Sequence, residues 1–409
     1  MNILLGTHLA DNSNLCTLLT SPNLRTNSMQ HVYRLQNCGL NSRFLGSGLS
    51  FTDYITQTRT MLARVHTDAD AQARIEGNAP FELRPQVRDG LSKTYHRGIV
   101  LTHGASDSPY HMQHLARFFQ AQGWRVMGVL LPGHGTVPGD LLDMHWQEWA
   151  STVAYAADRL AVEVDELYLG GFSAGGTLSV RQSVRDERVL GLFLFAPALK
   201  ISFRAKFANL HKLYSWVSPN AKWVDILPDR DLYKYESFSK NAAAQTYALI
   251  ADTQAHLRRH TLTIPIFAAA SLEDATVDAK TTFRFIVGAQ HPASKLLLYA
   301  ANPATVFKSP RVDTINSVML ERRILSSAHT AIVIAPEDPH YGITGHYANC
   351  LHYFMNDHAS YVTCCNQPDE VWQGELTRQN LKAGILRRLM YNPHFTSLQE
   401  SMQQFIANM

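Results

Sequence analysis

The stretch LYLGGFSAGG, residues 167–176, decides how the chain is read. Strand-forming residues in DELYLGGFS run into glycines, and AGGTLSVRQSVRD then reads as a helix. Gly171-Phe172-Ser173-Ala174-Gly175 matches G-x-S-x-G. A strand that turns sharply into a helix places the serine at the apex, in a strained backbone conformation. Small neighbours let the flanking backbones approach. The pentapeptide alone arises by chance in many chains. Its setting between a strand and a helix favours an exposed nucleophile over a structural turn.

Working outward, short apolar strands alternate with amphipathic helices. GIVLTHG is a strand ending in glycine. SPYHMQHLARFFQAQG follows as a helix, with Ser108 as N-cap, Pro109 at its first position and Gly123 as its stop. WRVMGVLLPGHG is the next strand and turn, and a helix is expected at about 145–160. GLFLFAPAL, TIPIFAAASLED and SVMLERRILSSAHTAIVI supply later strands. The pattern predicts an α/β fold: a mostly parallel central sheet flanked by helices. Residues 52–76 read as a helix before the core begins.

An activated serine needs partners. His103-Gly104-Ala105 ends an early strand, and backbone N–H groups there can hold an oxyanion. Removing one such donor typically costs about 3 kcal/mol. The N–H groups of Ala105 and Ala174 are the candidates. His103 reads as loop-shaping. The acid is expected at the C-terminal edge of the sheet, where sites in such folds form. Asp274 is the best placed, ahead of Glu273 and Asp278. The base is expected at His329 in LSSAHTAIV, with His340 and His346 as rivals. The order Ser173, Asp274, His329 is that of the α/β hydrolases.

These elements together resemble the α/β-hydrolase superfamily, and within it the monoacylglycerol lipase and carboxylesterase group of serine hydrolases. GIVLTHGASDSP is similar to the oxyanion-loop strand, VLLPGHG to the next strand and turn, and GGFSAGG to the nucleophile elbow. SLEDATVD resembles the acid loop, with Asp274 at the motif's aspartate, and SSAHTA the histidine loop. The resemblance covers residues 81–340. It implies a helical cap inserted after the strand that follows the nucleophile helix, over residues 200–260. Phe203, Phe207 and Trp216 of that cap are candidates to touch substrate, and His134 of the PGHG turn is read as structural. The implied organisation is an N-terminal, partly helical extension (1–80), a core (81–345) and a C-terminal addition (346–409) ending in a core helix.

The implied reaction is hydrolysis of a small acyl ester, lipid-derived esters included, without metal or organic cofactor. Thioester hydrolysis and acyl transfer use the same groups, and a hydrolase-like binding protein is the reading from another class. Composition narrows the partners. A net charge of +3 over 409 residues gives no reason to expect nucleic acid. No apolar stretch is long enough to span a bilayer. Either terminal addition is open to mediating oligomerisation. The five cysteines, 16, 38, 350, 364 and 365, lack zinc-ligand spacing. They are expected to be free thiols in a reducing compartment, and a cytoplasmic location follows.

Overall fold

The computed structural model describes residues 34–85, 95–200 and 219–409. Among these residues, eight strands form one sheet. They are β1 (Phe81–Leu83), β2 (Tyr95–Thr102), β3 (Arg125–Val129), β4 (Val164–Phe172) and β5 (Val189–Phe195), then β8 (Ile266–Ser271), β9 (Lys295–Ala300) and β10 (Val312–Asn316). Between β5 and β8, a short hairpin pairs β6 (Trp223–Asp225) with β7 (Phe238–Ser239). The spatial order is β1-β3-β2-β4-β5-β8-β9-β10. Only edge strand β1 is antiparallel to its neighbour.

Parallel strands covered on both faces should be apolar almost throughout, and these are. Side chains alternate between two cores. Ile99, Leu101, Phe193, Phe195 and Phe267 join one cluster. Val100, Leu192, Leu194 and Ala268 join the other. Helix α1 (Phe51–Val65) opens on Ser50, whose Oγ accepts the Asp53 N–H, and α2 (Ala71–Asn78) follows. The helix expected over 52–76 is therefore two. The break at His66 turns its ring onto Gly135 O, 2.7 Å away. Next come α3 (Gln113–Ala121), α4 (Trp146–Ala161) and α5 (Ala174–Ser183). A 3-10 turn, Pro109–Met112, precedes α3, and the Ser108 side chain makes no capping bond.

Of the segment 200–260, the described part holds the β6–β7 hairpin and α6 (Lys240–Leu257). Leu249 and Ala242 of α6 pack into the sheet-facing core, and the Gln245 side chain accepts the Trp146 N–H at 3.1 Å. Phe203, Phe207 and Trp216 lie outside the described residues. Helix α7 (Ala279–Val287) follows β8. Short helices α8 (Leu351–Phe354) and α9 (His358–Asn366) precede a two-stranded parallel ribbon, β11 (Trp372–Gly374) and β12 (Leu386–Arg388). The last helix, α10 (Phe395–Asn408), lays Phe405 against Phe193 and Phe267.

Two expectations are corrected. Residues 317–334, read as a strand, form turns and loop apart from the isolated bridges made by Met319 and Ile324. The strands there are β9 and β10, earlier in the chain. The apolar run that follows His329 is buried as loop: Ala331, Ile332, Val333 and Ile334 pack into a core cluster. The cysteines are not all free thiols either. Cys350 and Cys364 form a disulfide, Cys38 is disulfide-bonded, and Cys365 is free. Cys350 and Cys364 stand 14 positions apart, a spacing that advertises nothing in the sequence. No helix among the described residues is long and apolar enough to cross a membrane.

Candidate active site

Ser173 stands at the turn from β4 into α5 with φ 54° and ψ −117°. That region is costly for a residue with a side chain. Neighbouring backbone holds it there. The Ser173 N–H donates to Phe195 O at 2.9 Å, and Ser173 O accepts from Ala198 N at 3.0 Å. The glycines on either side are steric requirements. A Cβ on Gly171 would collide with the Gly175 backbone, and one on Gly175 with Thr102 O. Helix α5 therefore lies tight on the sheet and lifts the serine hydroxyl above the strand ends.

His329 comes to this hydroxyl from the loop beyond β10. Its Nε2 lies 3.2 Å from Ser173 Oγ, and its Nδ1 lies 2.6 Å from Asp274 Oδ2. A ring donating from Nδ1 to the carboxylate leaves Nε2 to accept the serine proton. Asp274 follows β8, and its Oδ1 accepts the N–H groups of Thr276 (2.7 Å) and Val277 (2.9 Å). Burial alone would raise the carboxyl pKa. The His329 charge and these hydrogen bonds outweigh it and hold the group below the ordinary carboxylate range.

The rival residues are occupied elsewhere. Glu273 accepts the Ala301 N–H, and Asp278 caps α7 by accepting the Lys280 N–H. His340 pairs with Asp231 at 3.0 Å. Among the described residues, the side-chain hydrogen bond of Ser173 Oγ is to His329 and none joins it to His346.

Ala174 directly follows Ser173 in the chain, and Ala105 lies in the loop after β2. Ala174 opens α5, where the first N–H groups have no partner within the helix. The Ala105 loop is shaped by two buried histidines. His103 Nε2 accepts the Leu131 N–H at 3.0 Å and its Nδ1 donates to Gly104 O at 2.8 Å. Burial, with His134 beside it, holds the His103 pKa well below the ordinary histidine range. His134 Nε2 lies 3.0 Å from Ala105 O. Burial lowers the His134 pKa as well, and the two rings fill the space between the two loops.

Residues that sequence reasoning did not single out support the same loop. Lys234 Nζ donates to Ser106 Oγ at 2.6 Å and also pairs with Asp107. The Tyr235 N–H donates to Ser106 O at 2.8 Å. A cleft of about 280 Å3 opens beside this loop, lined among others by Ser106, Thr136, Tyr233 and Lys234. Arg34, Val65 and His66 line it as well, and residues near them bind the core loops. Gly133 N donates to Asn41 O at 2.7 Å, and Cys38 N to Asp140 Oδ1 at 2.7 Å. On the histidine side, the missed residues are Glu375 and Arg388. No signal in QGELTR or LRRLM separates these charges from ordinary surface ones. Among the described residues, no group of three or more His, Cys, Asp or Glu side chains could hold a metal.

Comparison with known proteins agrees with the fold. Residues 94–302, just over half of the chain, match the family described as serine aminopeptidase, S33. A thermostable monoacylglycerol lipase from Bacillus sp. (strain H-257) is 26% identical over 184 residues, covering 44% of this chain and 71% of that one. Among solved structures, one from the metagenome-derived lipolytic enzymes LipS and LipT is 23% identical with a TM-score of 0.45. It covers 54% of this chain and 87% of its own. The monoacylglycerol lipase of Paleococcus ferrophilus is 16% identical with a TM-score of 0.41, covering 54% and 88%. The chain belongs to the serine aminopeptidase S33 family, within the monoacylglycerol lipase and esterase group of the α/β hydrolases.

Proposed function

We propose that the protein is a serine-dependent carboxylic ester hydrolase of the carboxylesterase or monoacylglycerol lipase kind. One observation carries the reading: the continuous relay from Ser173 Oγ through His329 to Asp274, at 3.2 and 2.6 Å. Ser173 attacks the ester carbonyl while His329 Nε2 takes its proton. The C–O bond to the alcohol breaks as His329 returns that proton to the leaving oxygen. Asp274 keeps the ring in the useful tautomer and stabilises its charged form. The N–H groups of Ala105 and Ala174 hold the oxyanion. Water, activated by the same histidine, then releases the acid. No step calls for a metal or organic cofactor.

A p-nitrophenyl ester series of increasing acyl length, with Ser173→Ala as control, tests this. Hydrolysis that Ser173→Ala abolishes is expected. A variant retaining wild-type turnover would remove Ser173 from the mechanism. Hydrolysis confined to the longest chains would point to lipid esters. Turnover of aminoacyl p-nitroanilides alone would replace the ester reading with an amide one. The disulfides bear on location: such bonds persist in oxidising compartments. We therefore place the working protein in one, in preference to the cytoplasm expected from the sequence.

A further inference from the structure

The histidine loop takes its support from the C-terminal ribbon. Glu375 directly follows β11 and its side chain is fully buried. Its Oε2 accepts the backbone N–H of His329 at 2.9 Å, and its Oε1 accepts the Leu376 N–H at 2.8 Å. Arg388, the last residue of β12, faces it. Nη2 donates to Oε2 at 3.0 Å, and Nε lies 2.9 Å from Oε1. The same Nη2 donates to Thr276 Oγ1 at 2.9 Å. Thr276 in turn donates its N–H to Asp274 Oδ1. A single guanidinium thus joins the loop of His329 to the loop of Asp274.

More of the ribbon converges on the same loop. Ser326 Oγ accepts from Glu375 N at 3.1 Å and from Asn380 Nδ2 at 3.0 Å. Thr330 Oγ1 donates to Leu389 O at 2.9 Å. The ribbon itself is tied down: Arg388 N donates to Asn349 O, next to the Cys350–Cys364 disulfide, and Arg387 donates to Cys364 O. Burying a carboxylate and a guanidinium has a desolvation penalty of several kcal/mol per ion. Apolar side chains would fill the space without it. What they could not do is accept the His329 N–H and reach Thr276 at once.

We propose that Glu375 and Arg388 are positioning residues for the Ser173–His329–Asp274 relay. They fix the two loops in the register that lets the imidazole span serine and aspartate. The proposal rests on the serine-hydrolase reading above. Misplacing a reacting group by about 1 Å can reduce rate about 100-fold, which sets the scale of the expected effect.

The test compares Glu375→Ala, Glu375→Gln, Arg388→Lys, Arg388→Met and Thr276→Val in the full-length protein. Two readouts are followed: p-nitrophenyl butyrate turnover, and the rate at which a fluorophosphonate labels Ser173. Both are scaled to folded protein from the unfolding transition. Glu375→Ala and Arg388→Met are expected to lower kcat about 10- to 100-fold with KM within about twofold. Glu375→Gln keeps an acceptor for the His329 N–H and recovers part of the loss. Arg388→Lys keeps the charge but loses the fork and falls between. The double variant Glu375→Ala/Arg388→Met is no slower than the worse single one, because the pair acts as a unit. Thr276 is exposed, so Thr276→Val tests the link to the acid loop without disturbing the core.

A purely structural pair would lower Tm and leave kcat per folded molecule unchanged. That outcome for Glu375→Ala and Arg388→Met overturns the proposal. If those two do not fold, the same outcome for Arg388→Lys and Thr276→Val overturns it. Wild-type protein that does not label at all overturns the serine-hydrolase reading instead.

Discussion

At the scale of residues, the strained Ser173 and its two partners make the strongest demands. Asp274→Asn preserves shape but turns the ring to the wrong tautomer. A loss of about 10^4-fold in kcat with little change in KM is expected from steady-state kinetics. Gly175→Ala must push α5 away from Thr102 O. It is expected to destabilise by about 1–3 kcal/mol, read from urea unfolding, and to slow fluorophosphonate labelling as the serine shifts. An unchanged midpoint and labelling rate would show that the elbow tolerates a methyl group. Ser173 and Asp274 were legible because each stands just beyond a strand end, whereas His329 lies well past β10 in loop and was legible from the motif SSAHTA and its place in the chain order. Glu375 and Arg388 were not. Their partners are a backbone N–H 46 residues away and a hydroxyl 112 residues away, and no local pattern encodes either.

At the scale of elements, the disulfide is the feature most open to manipulation. It closes a loop of about the length for which chain-entropy arguments give about 3 kcal/mol. Replacing Cys350 and Cys364 together by serine is expected to lower stability by about 2–4 kcal/mol, measured as a fall in the denaturation midpoint. An unchanged midpoint would mean that the hydrogen bonds of Arg387 and Arg388 hold the ribbon alone. Elements around β2–β5 were readable from apolar runs punctuated by glycine. Strand β9, KLLLYA, was passed over although its pattern is plain. Loop 317–334 was mistaken for a strand. From Ala328 to Ile334 its apolar side chains are as buried as a strand's, although Leu320 is exposed, and burial rather than hydrogen-bond pattern is what composition reports.

At the scale of the whole molecule, acid should be its weak side. His66, His103, His111, His134, His352 and His394 all have pKa values lowered mainly by burial, His66 and His352 to about 4. In the unfolded chain they titrate near 6.5. The unfolded state therefore binds protons first, and the stability these rings hold above pH 6.5 is lost as pH falls toward 4. Asp140, pushed up to about 6 by burial, acts in the opposite sense over part of that window, and burial also raises Glu236 and Glu273. The histidines outnumber them. Tm is expected to fall steadily from pH 7 to pH 4, and less steeply in His66→Gln. A flat profile would contradict the burial of these rings in neutral form. The ribbon that clasps His329 also sets a timetable. Ser173 leaves the ribosome well before Arg388. At 5–20 residues per second the interval is roughly 10–40 s. Throughout it the nascent chain carries a nucleophile whose base has no fixed seat. On the proposed relay and its proposed clasp, full hydrolytic rate arrives only when synthesis has passed residue 388, and a half-made copy would attack the esters around it poorly.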